Sequence, residues 1–487
     1  MSHHYIEQQD VNIDICPKVD VSHQLANGMQ VSLGDLHGNF QKLLYAGVRH
    51  GALQISSVDF TRLQALYIKS PLQADDLTLF NQLLARIQVN PNAKDSLLRL
   101  IGDVLADRGK NDYFTLKLLQ KFKQGGLPFE ILISNHDAEF IDFFENGKPF
   151  NSSRLGGQAN SANQLQDLID RNLVSRDEIN SLIEECYKPS LKALSYSFDD
   201  AGKLTVYSHA AIGPYNICFM ANALNVPWLG NDEQFVAMTI DAVNSEFAKH
   251  VQNNTVSKLI NLDKVPLEAI NGFQPIDAEK FPFAHLIWNR DVASLNRPAH
   301  INWVHGHDMR DKTLGNIFNL DNQLGKAPGV YHTGVYNALY SKVAGLKPAL
   351  VLPKIIEDYR PIAAIDNAKS EPVIKSIDDD TGAEWTFVTP AASTSSIWQP
   401  LKAIAGTASN WWWGKASEEQ TAAEPVQKIA KVEKEPINGP FKPGMTLYTK
   451  HGAKLEGPID LTQSVIGLPN DQSFSDYQAK KKRLIVK

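Results

Sequence analysis

The chain has 487 residues, 43% apolar and 21% charged, an ordinary globular balance with ample material for a core and room for two or three domains. Its 48 basic side chains against 54 acidic ones leave a net charge of −6, which argues against a general nucleic-acid binder. Three scattered cysteines, Cys16, Cys186 and Cys218, form no CxxC pair, which argues against a disulfide framework or a thiolate zinc site and suits a reducing compartment.

The opening MSHHYIEQQDVNIDICPKVD has no basic and no apolar region of the kind a signal peptide needs, so residues 1–27 read as an extension. No window approaches the roughly 20 apolar residues of a spanning helix. From about 28 to 345, strand and helix signals alternate. MQVSL is strand-like and NFQKLLYAGVRHGAL has helical spacing. SLLRLIGD is a short apolar run ending in Gly-Asp. DYFTLKLLQKFKQGG sets Phe114, Leu118 and Phe122 four apart on one face before Gly125-Gly126 stops the helix. PFEILIS, LTVYS and INWV are further strands. The alternation predicts an α/β or layered α+β fold. Residues 150–200 read as a polar helical insertion, and about 230–285 as a second helix-rich segment. After about 355 the composition shifts to Ala, Ser, Thr, Glu, Lys and Pro, giving a linker and low-complexity tail over 356–487. Within it GMTLYTKHGAKLEG predicts a small hairpin. The core-forming unit is therefore 28–355.

The chemistry collects at the strand ends. GDLHGN supplies Asp35 and His37. IGDVLADRG supplies Asp103, Asp107 and Arg108. ISNHDAEF supplies Asn135 and His136, VYSHAAIGP supplies His209, and WVHGHDM supplies His305 and His307. Such a mixed nitrogen and oxygen set suits borderline divalent ions such as Mn²⁺, Fe²⁺ or Zn²⁺. A carboxylate can bridge two ions roughly 3.5–4 Å apart, the spacing at which two-metal hydrolases clamp a phosphate and acidify a water.

In order and placement, GDxHG, a GD…DRG segment, NHD and two later histidines resemble the calcineurin-like metallophosphoesterases, and within them the PPP phosphoprotein phosphatases. The resemblance covers about residues 30–345 and implies a β-sandwich flanked by helices. It implies that Asp35 and His37 hold a first metal, that Asp103 bridges, and that Asn135, His209 and His307 hold a second. His136 becomes the general acid, oriented by Asp107. Arg108 becomes a phosphate ligand, for which a guanidinium fork is well shaped. HLIWNRD resembles the Trp-x-Arg segment of bacterial PPP enzymes and implies Arg290 as a second clamp. The implied cofactors are two divalent ions, Mn²⁺ first, with Fe²⁺ and Zn²⁺ as alternatives.

Three positions depart from the family pattern. GDVLADRG carries one residue more than GDxxDRG, so Asp107 reaches His136 only if a bulge absorbs it. Ser134 replaces a glycine, and HAAIGP stands where HGG is usual. NIFNLDNQLGKAPGVYHTGVYNALY resembles the family's final strand pair, with Asp321 or His332 near the entrance.

Each residue also has a plainer reading. A lone histidine is more often a satisfied structural group than a ligand. His305 fits either support of a ligand or a strand cap. Asp137 and Glu139 read as helix N-terminal acids, and Asn111 and Asp112 as caps of the next helix. Trp411, Trp412 and Trp413 fit either a membrane-surface or partner contact or docking on the catalytic unit. Lys480 to Arg483 read as a lipid or targeting patch, or as a solvated terminus.

The leading expectation is a dinuclear-metal phosphatase acting on phosphoproteins, with phosphoserine/threonine and phosphotyrosine both open. A diadenosine tetraphosphate hydrolase and a non-catalytic partner-binding module are the alternatives. The layout also resembles the Wip-type phosphatase effectors of intracellular bacterial pathogens. That implies a host phosphoprotein as partner and delivery by injection, against a plain cytoplasmic location.

Overall fold

The structure, a computed structural model, describes residues 5–270, 274–309 and 311–342, together with four two-residue strands further on. Two compact units are present, Met1–Lys369 and Ser370–Lys487. In the second, Ser376–Ile377 pairs with Glu384–Trp385, and Leu447–Tyr448 pairs antiparallel with Lys454–Leu455, the hairpin expected in GMTLYTKHGAKLEG. Trp411–Trp413, Lys480–Arg483 and the membrane contact read from them lie outside the described residues. No helix among the described residues is long and apolar enough to cross a membrane.

The first unit opens with β1 (Tyr5–Asn12) and β2 (Met29–Leu33). β2 runs through Gly-Asp-Leu-His-Gly into α1 (Phe40–Arg49), where the Asn39 side chain caps the helix by accepting from Lys42 N at 3.1 Å. A short ribbon, β3 (Leu53–Gln54) with β4 (Gln88–Val89), brackets α2 (Ser57–Ile68) and α3 (Ala74–Arg86). β5 (Leu97–Leu100), α4 (Asp112–Gln124), β6 (Phe129–Leu132) and α5 (Asn135–Glu145) follow. Gly125 ends α4 and Gly126, at φ 73°, turns the chain away.

The segment read as an all-helical insertion is helical only in part. α6 (Asn160–Asp170) and α7 (Arg176–Leu182) are followed by β7 (Leu191–Lys192) and β8 (Ser195–Phe198). In β8 the serines face inward and the aromatics are half-exposed, a period of two too short to register against the helical pattern before it. Then come β9 (Leu204–Tyr207), α8 (Pro214–Ala223), α9 (Glu233–Gln252), α10 (Val256–Ile260), α11 (Leu267–Ile270) and α12 (Pro282–Trp288). β10 (Asn302–His305), β11 (Ile317–Asn319) and β12 (Thr333–Lys342) close the unit.

Two sheets result. The larger has the order β1-β12-β2-β5-β6-β7, and the smaller β11-β10-β9-β8. β2, β5, β6 and β7 are parallel, so their C-terminal ends meet at one edge; β9, β10 and β11 are parallel in the other sheet. β11 and β12 were expected to pair, but they lie in different sheets. A thin apolar layer of Ile101, Leu132, Tyr207, Val304, Leu320 and Leu339 seals the sandwich, while the helices cover the outer faces with the larger core. Arg99 of β5 also lies between the sheets, 3.8 Å from the Tyr207 ring centre. Its guanidinium donates to Glu130 (2.5 Å), Ser195 (3.0 Å), Ser32 (3.0 Å) and Gln30 (3.2 Å). A buried charge is tolerable only when so fully bonded.

His50, just after α1, is fully buried. Its Nδ1 lies 3.2 Å from the His23 carbonyl and its Nε2 2.8 Å from the Tyr336 hydroxyl. Burial pushes its imidazole from 6.5 down to about 3. Between those values the unfolded chain binds one proton more than the folded chain. The stability that neutral His50 contributes above pH 6.5 is therefore lost as pH falls, at about 1.4 kcal/mol per pH unit. His50→Gln is expected to flatten the fall of the urea midpoint between pH 6.5 and 5. Parallel curves for variant and parent would contradict this.

Candidate active site

The loops after β2, β5, β6, β9 and β10 converge. Nine described non-glycine residues have positive φ. Five are asparagines, which tolerate it, and the other four, His37 (60°), Asp103 (51°), Ala106 (54°) and His307 (67°), all lie here. Backbone strain concentrated in one place is a mark of a functional site. The extra residue of GDVLADRG is absorbed at Ala106. Its left-handed turn sends its N–H to Asp112 (2.9 Å) and its carbonyl to His136 Nδ1 (2.7 Å). Two close approaches require glycine. A Cβ on Gly109 would sit 1.6 Å from the Gly38 carbonyl, and one on Gly306 would sit 1.9 Å from Asp35 Oδ1.

Ligand atoms of Asp35, His37 and Asp103 lie within 4.8 Å of one another, as do those of Asp103, Asp107 and His136, so Asp103 belongs to both groups. His209 Nε2 is 3.5 Å from Asp103 Oδ1 and 2.8 Å from Asn135 Oδ1. The His307 ring packs at 4.9 Å on His209, and its backbone N–H donates to both Asp35 oxygens at 2.9 and 3.0 Å. Asp107 contacts two imidazoles, His37 Nδ1 at 3.2 Å and His136 Nε2 at 3.3 Å, and accepts from Arg108 at 2.8 Å. Arg108, 27% exposed in its side chain, also donates to Gln158. Arg290 lies 5.3 Å from the Trp288 ring, which packs on His307 at 5.8 Å. Asp35, His37, Asp103, Asp107, Asn135, His136, His209 and His307 thus come together in one cluster, with Arg108 and Arg290 beside it.

Some surroundings differ from expectation. His305 binds Asp311 (3.0 Å) and not the ligand set, and His332 sits 3.9 Å from Asp14. Asp137 is more than a helix-terminal acid. Fully buried, it accepts from Val104 N, Leu105 N, the Ser134 hydroxyl and the Tyr187 hydroxyl, pinning the loop that carries Asp103. Asp112 likewise pins Ala106. Asp321 joins the cluster, with Oδ1 3.8 Å from His37 Nε2. Lys42 was missed altogether: its buried Nζ donates to the Asp35 carbonyl at 2.6 Å. A lysine at the third position of an amphipathic helix reads as solvent-facing, and only the tertiary fold turns it inward.

The electrostatics of the cluster differ from residue to residue. Burial, then Asp321 and Asp103, push the Asp35 carboxyl well above the usual range. Burial also acts on Asp103, yet His209 and His136 hold it below its ordinary value. Asp107 is depressed by His136, His37 and Arg108 against the effect of burial. Burial would lower His136, but Asp107 and Asp103 raise it, which favours the protonated donor form. Burial lowers His209 and, with Arg290, takes His307 far below, which favours the neutral imidazole in both. Asp103 Oδ1, His307 Nε2 and Asp321 Oδ1 are buried with no hydrogen-bond partner among the described residues. Buried acceptors left open in this way, amid carboxylates and neutral imidazoles, fit a divalent cation.

The WipA-like phosphatase domain family matches residues 97–326. Among solved structures, the chain is similar to the phosphatase domain of the Legionella effector WipB, with 31% identity and a TM-score of 0.53, covering 60% of this chain and all of that one. A cold-active protein tyrosine phosphatase overlaps 63% of this chain and 73% of its own at 15% identity and a TM-score of 0.30, too slight to carry an argument. The curated proteins gave no match.

Proposed function

Because the chain belongs to the WipA-like phosphatase domain family, we propose that it is a metal-dependent phosphoprotein phosphatase with a PPP-like site. The observation that carries the metal is Asp103, shared by two donor groups with an open buried oxygen. Asp35, His37 and Asp103 would hold one ion, and Asp103, Asn135, His209 and His307 another, with Asp321 as a further oxygen beside the first. Bound divalent ions would neutralise phosphate charge and acidify a water. The chain's own residues do the rest. His136 gives a proton to the leaving oxygen, Asp107 orients and charges it, and Arg108 and Arg290 bind phosphate oxygens. Mn²⁺ leads, with Fe²⁺ and Zn²⁺ as alternatives for this nitrogen and oxygen set. The likeness to an effector phosphatase supports a host phosphoprotein as substrate and injection as its route.

Hydrolysis of para-nitrophenyl phosphate should vanish with a chelator and return with Mn²⁺. Elemental analysis should find divalent metal in the parent and less in Asp103→Asn. Undiminished turnover by metal-free protein would sink the metal reading. No turnover with any metal would favour a binding module. Matched phosphoserine, phosphothreonine and phosphotyrosine peptides, with diadenosine tetraphosphate as control, then separate the substrates.

A further inference from the structure

A cavity of about 560 Å³ lies between the β1–β12 ribbon and the loop joining β10 to β11. Gln8 of β1 stands opposite Asn337 of β12, and both line it. Asp321, whose Oδ1 lies 3.8 Å from His37 Nε2, lines it too, so the cavity adjoins the cluster. Two of its walls are built for a ligand. Asn337 is 9% exposed and its Oδ1 has no hydrogen-bond partner among the described residues. A buried amide oxygen left open calls for an N–H donor. Lys312, exposed on the same lining, calls for an anion. The other acid there, Asp311, is already engaged by Arg297 and His305 at 3.0 Å each and does not cancel it.

We propose that this cavity is a subsite for the residues flanking the phosphorylated side chain, with Asn337 Oδ1 accepting a peptide N–H and Lys312 holding an acidic side chain. The inference rests on the phosphoprotein-phosphatase reading and adds a substrate preference to it: phosphopeptides with Glu or Asp beside the phosphoresidue over those with Lys. A small aryl phosphate occupies the cluster without entering the cavity.

The test compares the parent with Lys312→Glu and Lys312→Met on three substrates: para-nitrophenyl phosphate, a Glu-flanked phosphopeptide and its Lys-flanked counterpart. Aryl phosphate kinetics should be unchanged. The kcat/KM for the Glu-flanked peptide should fall about fivefold in Lys312→Met and further in Lys312→Glu, through KM, as an exposed charge contact allows. Lys312→Glu should prefer the Lys-flanked peptide, and raised salt should erase the parent's preference. Fluorescence anisotropy with labelled peptides reads the same order without turnover. Unaltered peptide selectivity with aryl phosphate hydrolysis intact would overturn the subsite alone. An equal loss on all three substrates would also overturn it. A parent that hydrolyses none of them would overturn the phosphatase reading, while anisotropy would still decide the subsite.

Discussion

Replacing His136 by alanine is expected to lower kcat by about 10²- to 10⁴-fold while bound metal stays in place, because a positioned general acid is worth that much. The ring is fixed at both nitrogens, by the Ala106 carbonyl at 2.7 Å and Asp107 at 3.3 Å. Asp107 and Asp103 raise its proton affinity against the effect of burial, which favours the protonated form. The size of the loss should depend on the leaving group. Phenolate from phenyl phosphate and the serine alkoxide from phosphoserine peptides are strongly basic leaving groups and need the proton, whereas para-nitrophenolate needs it less. His136→Ala should therefore lose more on the former. Asp107→Asn should lose rate in the same pattern, since it removes the charge that holds the proton. Elemental analysis of both variants separates this from metal loss. A full rate in His136→Ala on phenyl phosphate would place the acid elsewhere.

How much of this was legible depends on what kind of signal each residue gives. Asp35, Asp103, Asn135, His209 and His307 sit at the ends of short apolar strands, and chemistry at a strand end shows in one dimension. The parallel order β2-β5-β6-β7 then brings three of those ends together. Asp137, Asp112 and Lys42 lie inside helices with acceptable helical patterns, and their role is to hold a loop or a charge on a different element. Nothing in local spacing distinguishes such a residue from a solvated one. The misplaced β11–β12 pairing has a similar origin. The resemblance to a final strand pair says nothing of which sheet each strand joins: Leu320 is drawn into the layer between the sheets and Tyr336 into the outer core, which separates the strands. The bulge at Ala106 was foreseeable as a need, because the count of residues between Asp103 and Asp107 demanded one. Its form was set by Asp112 and His136, which capture the two ends of the Ala106 peptide.

Lys42→Met is expected to destabilise the metal-free protein at pH 7 by about 3 kcal/mol, the usual result of breaking a buried charge cluster from one side. Methionine keeps the length and apolar stem, so packing is nearly conserved. Burial lowers the Lys42 ammonium to about 8, and Asp35, Asp321 and Asp103 keep it from falling further, so it is charged at neutral pH. It is then a built-in cation among carboxylates that would otherwise repel. Two consequences have definite signs. Below about pH 5 the penalty should shrink, because carboxyls left without a counter-charge take up protons in its place. With saturating Mn²⁺ it should shrink as well, since an external cation supplies the missing charge, and the metal-induced rise in Tm should be larger in the variant than in the parent. Thermal melts with and without Mn²⁺, at pH 5 and pH 7, check both. If Lys42 acted only through its 2.6 Å hydrogen bond to the Asp35 carbonyl, the variant would be weakened by the same amount in all four conditions.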